Sequence, residues 1–210
     1  MTHRPFETPP AVWDTGERPP AWVDHGGEVL VDTAWMTITR HPATAPTGKP
    51  ATYTVMRHKA LAAGVLPVHA DGSVTLIGQQ RFALSNFTWE MPEGGVPPTE
   101  DPLEGIKREL AEEAGLRAGQ WLHLLNLEIS NSVTDERGMT WLAWDLEPVQ
   151  QSPDDTEALI VARVPFAQLL AEIDRGAVTD VMTVATAYKA YHMAATGRLP
   201  EALARALLRA

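Results

Sequence analysis

The feature that most constrains this chain is a glycine pair, Gly94-Gly95, followed by a helix with clearly marked ends. Asp101 is a suitable N-cap, Pro102 suits the first helical position, and a glutamate two residues further completes a capping-box arrangement. Apolar residues then recur on one face until Gly115, which is typical of a helix C-cap. The pattern predicts a rigid helix from residue 102 to residue 114.

Three glutamates gather on one side of this predicted helix, at positions i, i+3 and i+4: Glu109, Glu112 and Glu113. One interpretation is a solvated charged face that Lys107 and Arg108 balance. The other is a set of hard oxygen ligands for Mg²⁺ or Mn²⁺, whose charge would remove the repulsion and attract a pyrophosphate. The spacing of the three glutamates alone leaves both interpretations open.

The segment from Gly94 to Leu116 follows one spacing: Gly, five residues, Glu, seven residues, then Arg-Glu-Leu-Ala-Glu-Glu-Ala-Gly-Leu. This segment resembles the Nudix box, the signature of the Nudix hydrolase family. The resemblance implies that Arg108 braces a glutamate through an ion pair. It further implies that three glutamates bind divalent cations, Mg²⁺ or alternatively Mn²⁺, and take part in catalysis: Glu109, Glu112 and Glu113.

Three segments around the box resemble one branch of the family, the ADP-ribose pyrophosphatases and nucleotide-sugar hydrolases: residues 79–81, 89–95 and 130–136. The resemblance implies that Glu93 lends its main-chain carbonyl to the metal. It also implies that three residues lie beside the substrate: Arg81, Glu90 and Glu136. Residues 130–132 read Ser-Asn-Ser where ADP-ribose pyrophosphatases usually carry Ser-Pro-Gly, so the base and the sugar stay open.

An acidic loop at residues 152–157 stands where family members carry a mobile loop with a catalytic glutamate. Glu157 is the first candidate for the general base and Asp155 the second, although loops of this composition are often simply solvated. The implied function is Mg²⁺-dependent hydrolysis of the pyrophosphate bond of a nucleoside diphosphate sugar, ADP-ribose or a related one. The products would be a nucleoside monophosphate and a sugar phosphate.

Two alternatives to this function stay open. The first is a Nudix hydrolase of dinucleoside polyphosphates or of another nucleoside diphosphate derivative, and the second is a non-catalytic nucleotide-sugar sensor. The chain contains no Cys, which excludes thiolate chemistry and Cys-ligated zinc. The G-x-S-x-G elbow, the P-loop and the dinucleotide fingerprint are also missing from the sequence, so those enzyme classes have no support.

Strand and helix patterns predict the α/β class, and the resemblance implies a Nudix α/β/α sandwich, a mixed β-sheet flanked by helices. Residues 63–68 and 74–79 predict a β-hairpin through an Asp-Gly turn. Further helices are predicted at residues 166–174, 181–195 and 201–209. The predicted organisation is an extended arm with strands at 1–50, serving dimerisation, a hydrolase domain at 51–198 and a C-terminal helix at 199–210.

The net charge of −10 opposes a broad electrostatic grip on nucleic acid polymers or anionic membranes, so neither is expected as a partner. The sequence shows no apolar run long enough to span a bilayer, which favours a cytoplasmic protein. The proline-rich arm resembles the region through which this branch forms homodimers. Trp22 or Trp35 could contact the partner's nucleobase there, or could equally fill the core.

Overall fold

The computed structural model describes residues 10–209 of the chain, in two compact units. The first unit contains the residues up to Ala60 together with residues 97–99 and 128–136, and the second contains residues 61–96, 100–127 and the remainder from Arg137. The start of the predicted arm, residues 1–9, lies outside the described residues. Predicted boundaries at residues 50 and 198 stay predictions, because compactness alone does not define an independently folding domain.

The first unit is built on an antiparallel sheet in which one long strand, β3, pairs with the other three. The strands are β1 (Val23–Asp24), β2 (Glu28–Asp32), β3 (Met36–Thr44) and β4 (Pro50–His58). Residues 10–22 precede this sheet without helix or strand and are mostly exposed, as the arm prediction expects. Every residue of β2 is exposed, although three of its five side chains are apolar.

The second unit contains a mixed sheet with the order β8-β5-β10-β9. Its strands are β5 (Leu61–Pro67), β8 (Glu93–Val96), β9 (Leu116–Glu128) and β10 (Arg137–Pro148). β5 and β10 run parallel, whereas β5 and β8 are antiparallel. The prediction of a mixed sheet is therefore confirmed.

A second, antiparallel sheet in the same unit has the order β11-β6-β7. Its strands are β6 (Ser73–Arg81), β7 (Asn86–Glu90) and β11 (Ile160–Pro165). The turn of the predicted hairpin between β5 and β6 does form: Gly72 N donates to His69 O, and Val68 bridges Val74. The prediction is wrong beyond this turn, because the two strands then enter different sheets. The strands separate because β8 and β10 occupy both edges of β5.

Four helices form at the predicted positions: α1 (Pro102–Ala114), α2 (Phe166–Asp174), α3 (Val181–Ala195) and α4 (Glu201–Arg209). α1 covers one face of the mixed sheet in a cluster of fully apolar contacts: Ala63, Val65, Val96, Ile106, Leu110, Trp141 and Ala143. The intervening Gly64 faces the other way, where an added Cβ would meet Met182 of α3 at 3.0 Å. Helices thus flank both faces of this sheet.

Local signals in the sequence fix α1 against its sheet. The Asp101 side chain accepts from Leu103 N at 3.0 Å and from Glu104 N at 3.3 Å, and Gly115 ends the helix at a φ of 63°. Val96 of β8 lies so close to Gly105 that an added Cβ would fall 2.5 Å from its Cγ2. This close approach brings α1 and β8 together at the place where the acidic residues cluster.

Among residues 10–209, no helix has the length and apolar character needed to cross a membrane.

Candidate active site

Arg108 is the centre of the charged face of α1. Its Nη1 donates to Glu109 Oε1 at 2.8 Å and to Glu112 Oε2 at 2.9 Å. Its Nε and Nη2 reach the two oxygens of Glu100 at 3.4 and 3.2 Å. Glu100, followed by Glu109, raises the pKa of the guanidinium above its ordinary value. Arg108 therefore holds two of the three predicted metal ligands in one orientation, as the ion-pair prediction expects.

Glu113 faces inward from the same helix and is 3% exposed. Its Oε2 accepts from Glu93 N at 3.0 Å, which joins α1 to β8. Burial, only partly offset by this hydrogen bond, raises the pKa of Glu113 to about 8. Burial also raises the pKa of Glu109, against the opposing effect of Arg108. The two carboxyls are thus held where their negative charge is poorly compensated by the protein itself.

Gly94 makes room for this arrangement. An added Cβ at that position would lie 2.3 Å from Glu109 Cδ and 2.5 Å from Glu109 Oε1, so the Glu109 carboxyl would have to move. The lack of a side chain at Gly94 therefore leaves the space that a predicted metal ligand occupies.

A second charged cluster lies where β6 and β7 end and β8 begins. Arg81 Nη2 donates to Glu90 Oε1 at 2.5 Å and to Glu93 Oε1 at 2.8 Å, while its Nε reaches Glu90 Oε2 at 3.2 Å. Glu90 is 2% exposed and also accepts from Gln79 Nε2 at 2.6 Å and Thr88 Oγ1 at 3.1 Å. Two predicted substrate residues, Arg81 and Glu90, therefore contact each other.

The Glu93 side chain belongs to this cluster, whereas the resemblance implied a role only for the Glu93 main-chain carbonyl. Its Oε1 accepts from Arg81, whereas its Oε2 is buried and has no hydrogen-bond partner among the described residues. Burial and the nearby Asp180 and Glu90 carboxylates raise the pKa of Glu93 well above its ordinary value. An acceptor left unpaired in this way favours a cation or a donor that the protein chain does not supply.

Asp180 is a residue of this cluster that sequence reasoning missed. Its Oδ2 accepts from Thr183 N at 2.7 Å and caps α3, while Thr183 Oγ1 accepts from Met91 N at 2.9 Å. The charge of Asp180 contributes to the raised pKa values of both Arg81 and Glu93. The N-cap signal of α3 is visible in the sequence, but nothing local in that signal points to a site about 90 residues earlier.

The predicted general base, Glu157, lies in an exposed loop anchored to the end of α1. Gln151 Nε2 donates to Glu113 O at 2.5 Å, and Ser152 N donates to Glu112 O at 3.1 Å. The charge of Glu157 contributes to the raised pKa values of Glu109 and Glu113, so it acts on the acidic face of α1. The second candidate, Asp155, is exposed, and no such influence on the acidic face is found for it among the described groups.

Glu136 belongs to the first unit, whereas the residues described above belong to the second. Its Oε2 lies 3.9 Å from His58 Nε2, a neighbour in the same unit. In that unit Trp22 packs edge-on against Tyr53, with ring centroids 5.4 Å apart, and Trp35 is 80% exposed. The substrate role predicted for Glu136 and the nucleobase role considered for the tryptophans stay predictions.

The carboxyl groups around Arg108 on α1 and around Arg81 are suitable ligands for a divalent cation, although their present positions do not form a metal site. Among residues 10–209, no three acidic or imidazole side chains converge closely enough to hold a metal ion. Glu109 and Glu112 each direct an oxygen at Arg108 instead. The donors are hard oxygens, two of the carboxyls carry poorly compensated charge, and Glu93 Oε2 has no partner in the described chain. A hard cation supplies what these groups lack, provided that the side chains turn towards it.

The sequence profile of the NUDIX domain matches residues 58–182, which is more than half of the chain. The chain belongs to the Nudix family. An ADP-ribose pyrophosphatase from Mycobacterium tuberculosis is 26% identical over 173 residues, which cover 81% of this chain and 83% of that protein. A CMP-5'-(N-acetyl-N-hydroxy-3-aminopropyl)phosphonate hydrolase from Streptomyces rubellomurinus is 28% identical over 140 residues, covering 65% of this chain and 66% of that protein.

A crystal structure of an ADP compounds hydrolase has the same fold as this Nudix protein. The two superpose with a TM-score of 0.75 at 20% identity, over 87% of this chain and all of the other. The predicted Nudix fold is thereby confirmed. The prediction of a pyrophosphohydrolase, in the branch that includes the ADP-ribose pyrophosphatases, is confirmed as well.

Proposed function

We propose that this Nudix enzyme hydrolyses the pyrophosphate bond of a nucleoside diphosphate sugar, ADP-ribose or a related compound, with Mg²⁺ as the preferred cation and Mn²⁺ as a substitute. The products are a nucleoside monophosphate and a sugar phosphate. One observation carries the proposal: α1 holds Glu109 and Glu113 with poorly compensated charge, in the unit that also contains the Arg81 cluster. The similarity to a pyrophosphatase named for ADP-ribose supports the choice of substrate class.

The cation would be held by the main-chain carbonyl of Glu93 and by three side chains of α1: Glu109, Glu112 and Glu113. When bound, it would polarise the phosphate oxygens and lower the pKa of an attacking water. Arg108 keeps Glu109 and Glu112 on one side of the helix, and its pairing with Glu100 fixes the guanidinium itself. The space at Gly94 positions the Glu109 carboxyl, and the hydrogen bond from Glu93 N positions the Glu113 carboxyl.

Glu157 is proposed to take the proton from the attacking water. The new bond joins the water oxygen to one phosphorus, and the bond that breaks joins that same phosphorus to the bridging oxygen. The bridging oxygen leaves with its electron pair as part of the second phosphate. Arg81, oriented by Glu90, is proposed to stabilise the charge that develops on this leaving phosphate.

A homodimer is part of the proposal, and the exposed strand β2 supports it. Val29, Leu30 and Val31 are 62, 45 and 43% exposed, a run of apolar side chains along one strand. Such a strand is a favourable surface for a second copy of the chain, since burial removes apolar area from water and protects the strand from other pairings. The cytoplasmic location stays a prediction from the sequence.

The test of the function is hydrolysis of a substrate panel with Mg²⁺: ADP-ribose, GDP-mannose, UDP-glucose, diadenosine polyphosphates and NADH. The panel is run with the wild type and with the double variant Glu112→Gln/Glu113→Gln, whose fold is checked by circular dichroism. Cleavage of a nucleotide sugar to a monophosphate and a sugar phosphate, lost in the variant, supports the proposal. If the enzyme prefers a diadenosine polyphosphate, the substrate class is dinucleoside polyphosphates and not nucleotide sugars. If it binds one of these compounds without cleaving any, the protein is a sensor.

A further inference from the structure

A cavity of about 630 Å³ lies in the second unit between the end of the mixed sheet and helix α4. It is lined by residues of β9 and β10, by the turn after β5, by β11 and by α4. None of the residues that form the α1 and Arg81 clusters lines it. Its volume falls within the range of roughly 300–1,000 Å³ found for small-molecule sites.

The backbone of Asp145 at this cavity is in the left-handed region, with a φ of 61°. Within residues 10–209, Ser85 is the one other non-glycine residue with a positive φ. Such a conformation is uncommon outside glycine, although Asp and Asn tolerate it better than other residues. It interrupts the alternation of β10 just after Trp144, and three consecutive residues line the cavity: Trp144, Asp145 and Leu146.

Gly119 of β9 provides the space that the Asp145 carboxylate occupies. An added Cβ at Gly119 would lie 2.5 Å from Asp145 Oδ2, so any other residue would displace the carboxylate. The next residue, Gln120, also lines the cavity and presents a side-chain amide. Asp145 and Gln120 therefore bring one carboxylate and one amide to the lining of this cavity.

The other walls differ in character. Trp144 contributes an indole ring to the lining, and α4 contributes aliphatic side chains, among them Leu203. Arg163 reaches the cavity from β11, where Ser73 Oγ accepts from its Nε at 2.5 Å and Asp71 Oδ2 accepts from its Nη2 at 2.7 Å. His69 also lines the cavity, and burial, followed by the nearby charge of Arg163, lowers its pKa, so Arg163 supplies the positive charge there at neutral pH.

We propose that this cavity binds a guanine nucleotide, with the base on Trp144, its Watson–Crick edge at Asp145 and its phosphate towards Arg163. A carboxylate accepts from two adjacent donors, and guanine offers such a pair in its N1–H and its exocyclic amino group. Adenine and cytosine present an acceptor at the corresponding ring nitrogen, which a carboxylate repels. The indole face supports any base by stacking, so Trp144 sets affinity and Asp145 sets the choice of base.

The experiment is isothermal titration calorimetry of the full chain with GMP, IMP, AMP and CMP in the presence of EDTA, which keeps divalent cations from the Nudix carboxylates. GMP is expected to bind, with AMP and CMP weaker by about 10- to 100-fold. IMP keeps N1–H and lacks the amino group, so its affinity falls between those of GMP and AMP. Equal affinity for all four nucleotides, or no binding of GMP at about 1 mM, would overturn the proposal.

Three variants make the test specific to the cavity. Asp145→Asn is expected to weaken GMP binding by about 10- to 100-fold while keeping the backbone, since Asn tolerates a positive φ. Glu147→Gln, an exposed carboxylate on the same strand, is the matched control and should leave affinity unchanged. Arg81→Ala should also leave it unchanged. If Arg81→Ala abolishes binding, or if the changes at Asp145 and Glu147 act alike, the nucleotide binds elsewhere.

Discussion

Removal of divalent cations is predicted to make the stability of this protein fall with rising pH, because of Glu113. The pKa of this carboxyl is raised from 4.5 to about 8 in the folded protein, chiefly by burial. Between these two pH values the folded protein binds more protons than the unfolded chain does. The free energy of unfolding therefore decreases as the pH rises through this window, and the stabilisation present below pH 4.5 is lost above pH 8.

The size of the effect follows from the size of the shift. A displacement from 4.5 to about 8 corresponds to at most about 5 kcal/mol, and relaxation of the side chain when it ionises reduces this figure. A loss of about 2 kcal/mol would lower the melting temperature of a chain of this size by about 4–8 °C. Mg²⁺ is predicted to reverse most of the loss at pH 8 and little of it at pH 5, because protons compete with the cation for the same carboxyls.

The assay is thermal unfolding followed by circular dichroism from pH 5 to pH 8.5, with EDTA and with Mg²⁺. Glu113→Gln is the control, since a neutral side chain of the same shape removes the titration but keeps an acceptor for Glu93 N. The variant should show a flatter pH dependence in EDTA and a smaller gain from Mg²⁺. A wild type whose stability rises from pH 5 to pH 8 in EDTA relative to this variant would refute the reasoning.

Three further substitutions test separate parts of the site. Gly94→Ala places a Cβ 2.3 Å from Glu109 Cδ and should lower kcat at least about tenfold at saturating Mg²⁺, measured by steady-state kinetics; unchanged kcat would mean that the carboxylate position is unimportant. Arg81→Lys loses the pair of hydrogen bonds that Nε and Nη2 donate to Glu90 and should lower kcat/KM about tenfold. A variant with the wild-type kcat/KM would show that Arg81 has no part in the mechanism. Asp101→Ala removes the cap of α1 and should lower stability to urea by about 1 kcal/mol with little change in kcat; an unchanged midpoint would count against the cap.

The helix that carries the acidic residues was predictable from the sequence to the residue. Its signals are local: an aspartate cap, a proline in the first turn, an apolar stripe and a terminal glycine lie within about 15 residues. Side chains at i, i+3 and i+4 share a helix face in any context, so the grouping of Glu109, Glu112 and Glu113 needed no tertiary information. The starts of α2, α3 and α4 also agree with the predicted residues, although α2 has no capping side chain.

The partners of each strand were not predictable in the same way. A short turn between two apolar segments indicates a hairpin, and the turn at Gly72 does form. Which sheet each strand then joins depends on β8 and β10, which begin 32 and 76 residues after the start of β5. Similarly, the contact of the Glu93 side chain with Arg81 and the influence of Asp180 arise from packing of distant elements. One sequence carries no local signal for such contacts.

The central claim is that the carboxylates of α1 support metal-dependent cleavage of a nucleotide sugar between its two phosphates. The measurement that tests it most directly is ³¹P NMR of ADP-ribose incubated with the wild type in H₂¹⁸O, with Mg²⁺ and with EDTA. We expect AMP and ribose 5-phosphate in equal amounts, one of them carrying a single ¹⁸O, only when Mg²⁺ is present. Equal rates in EDTA, or full activity of Glu112→Gln/Glu113→Gln, would contradict it.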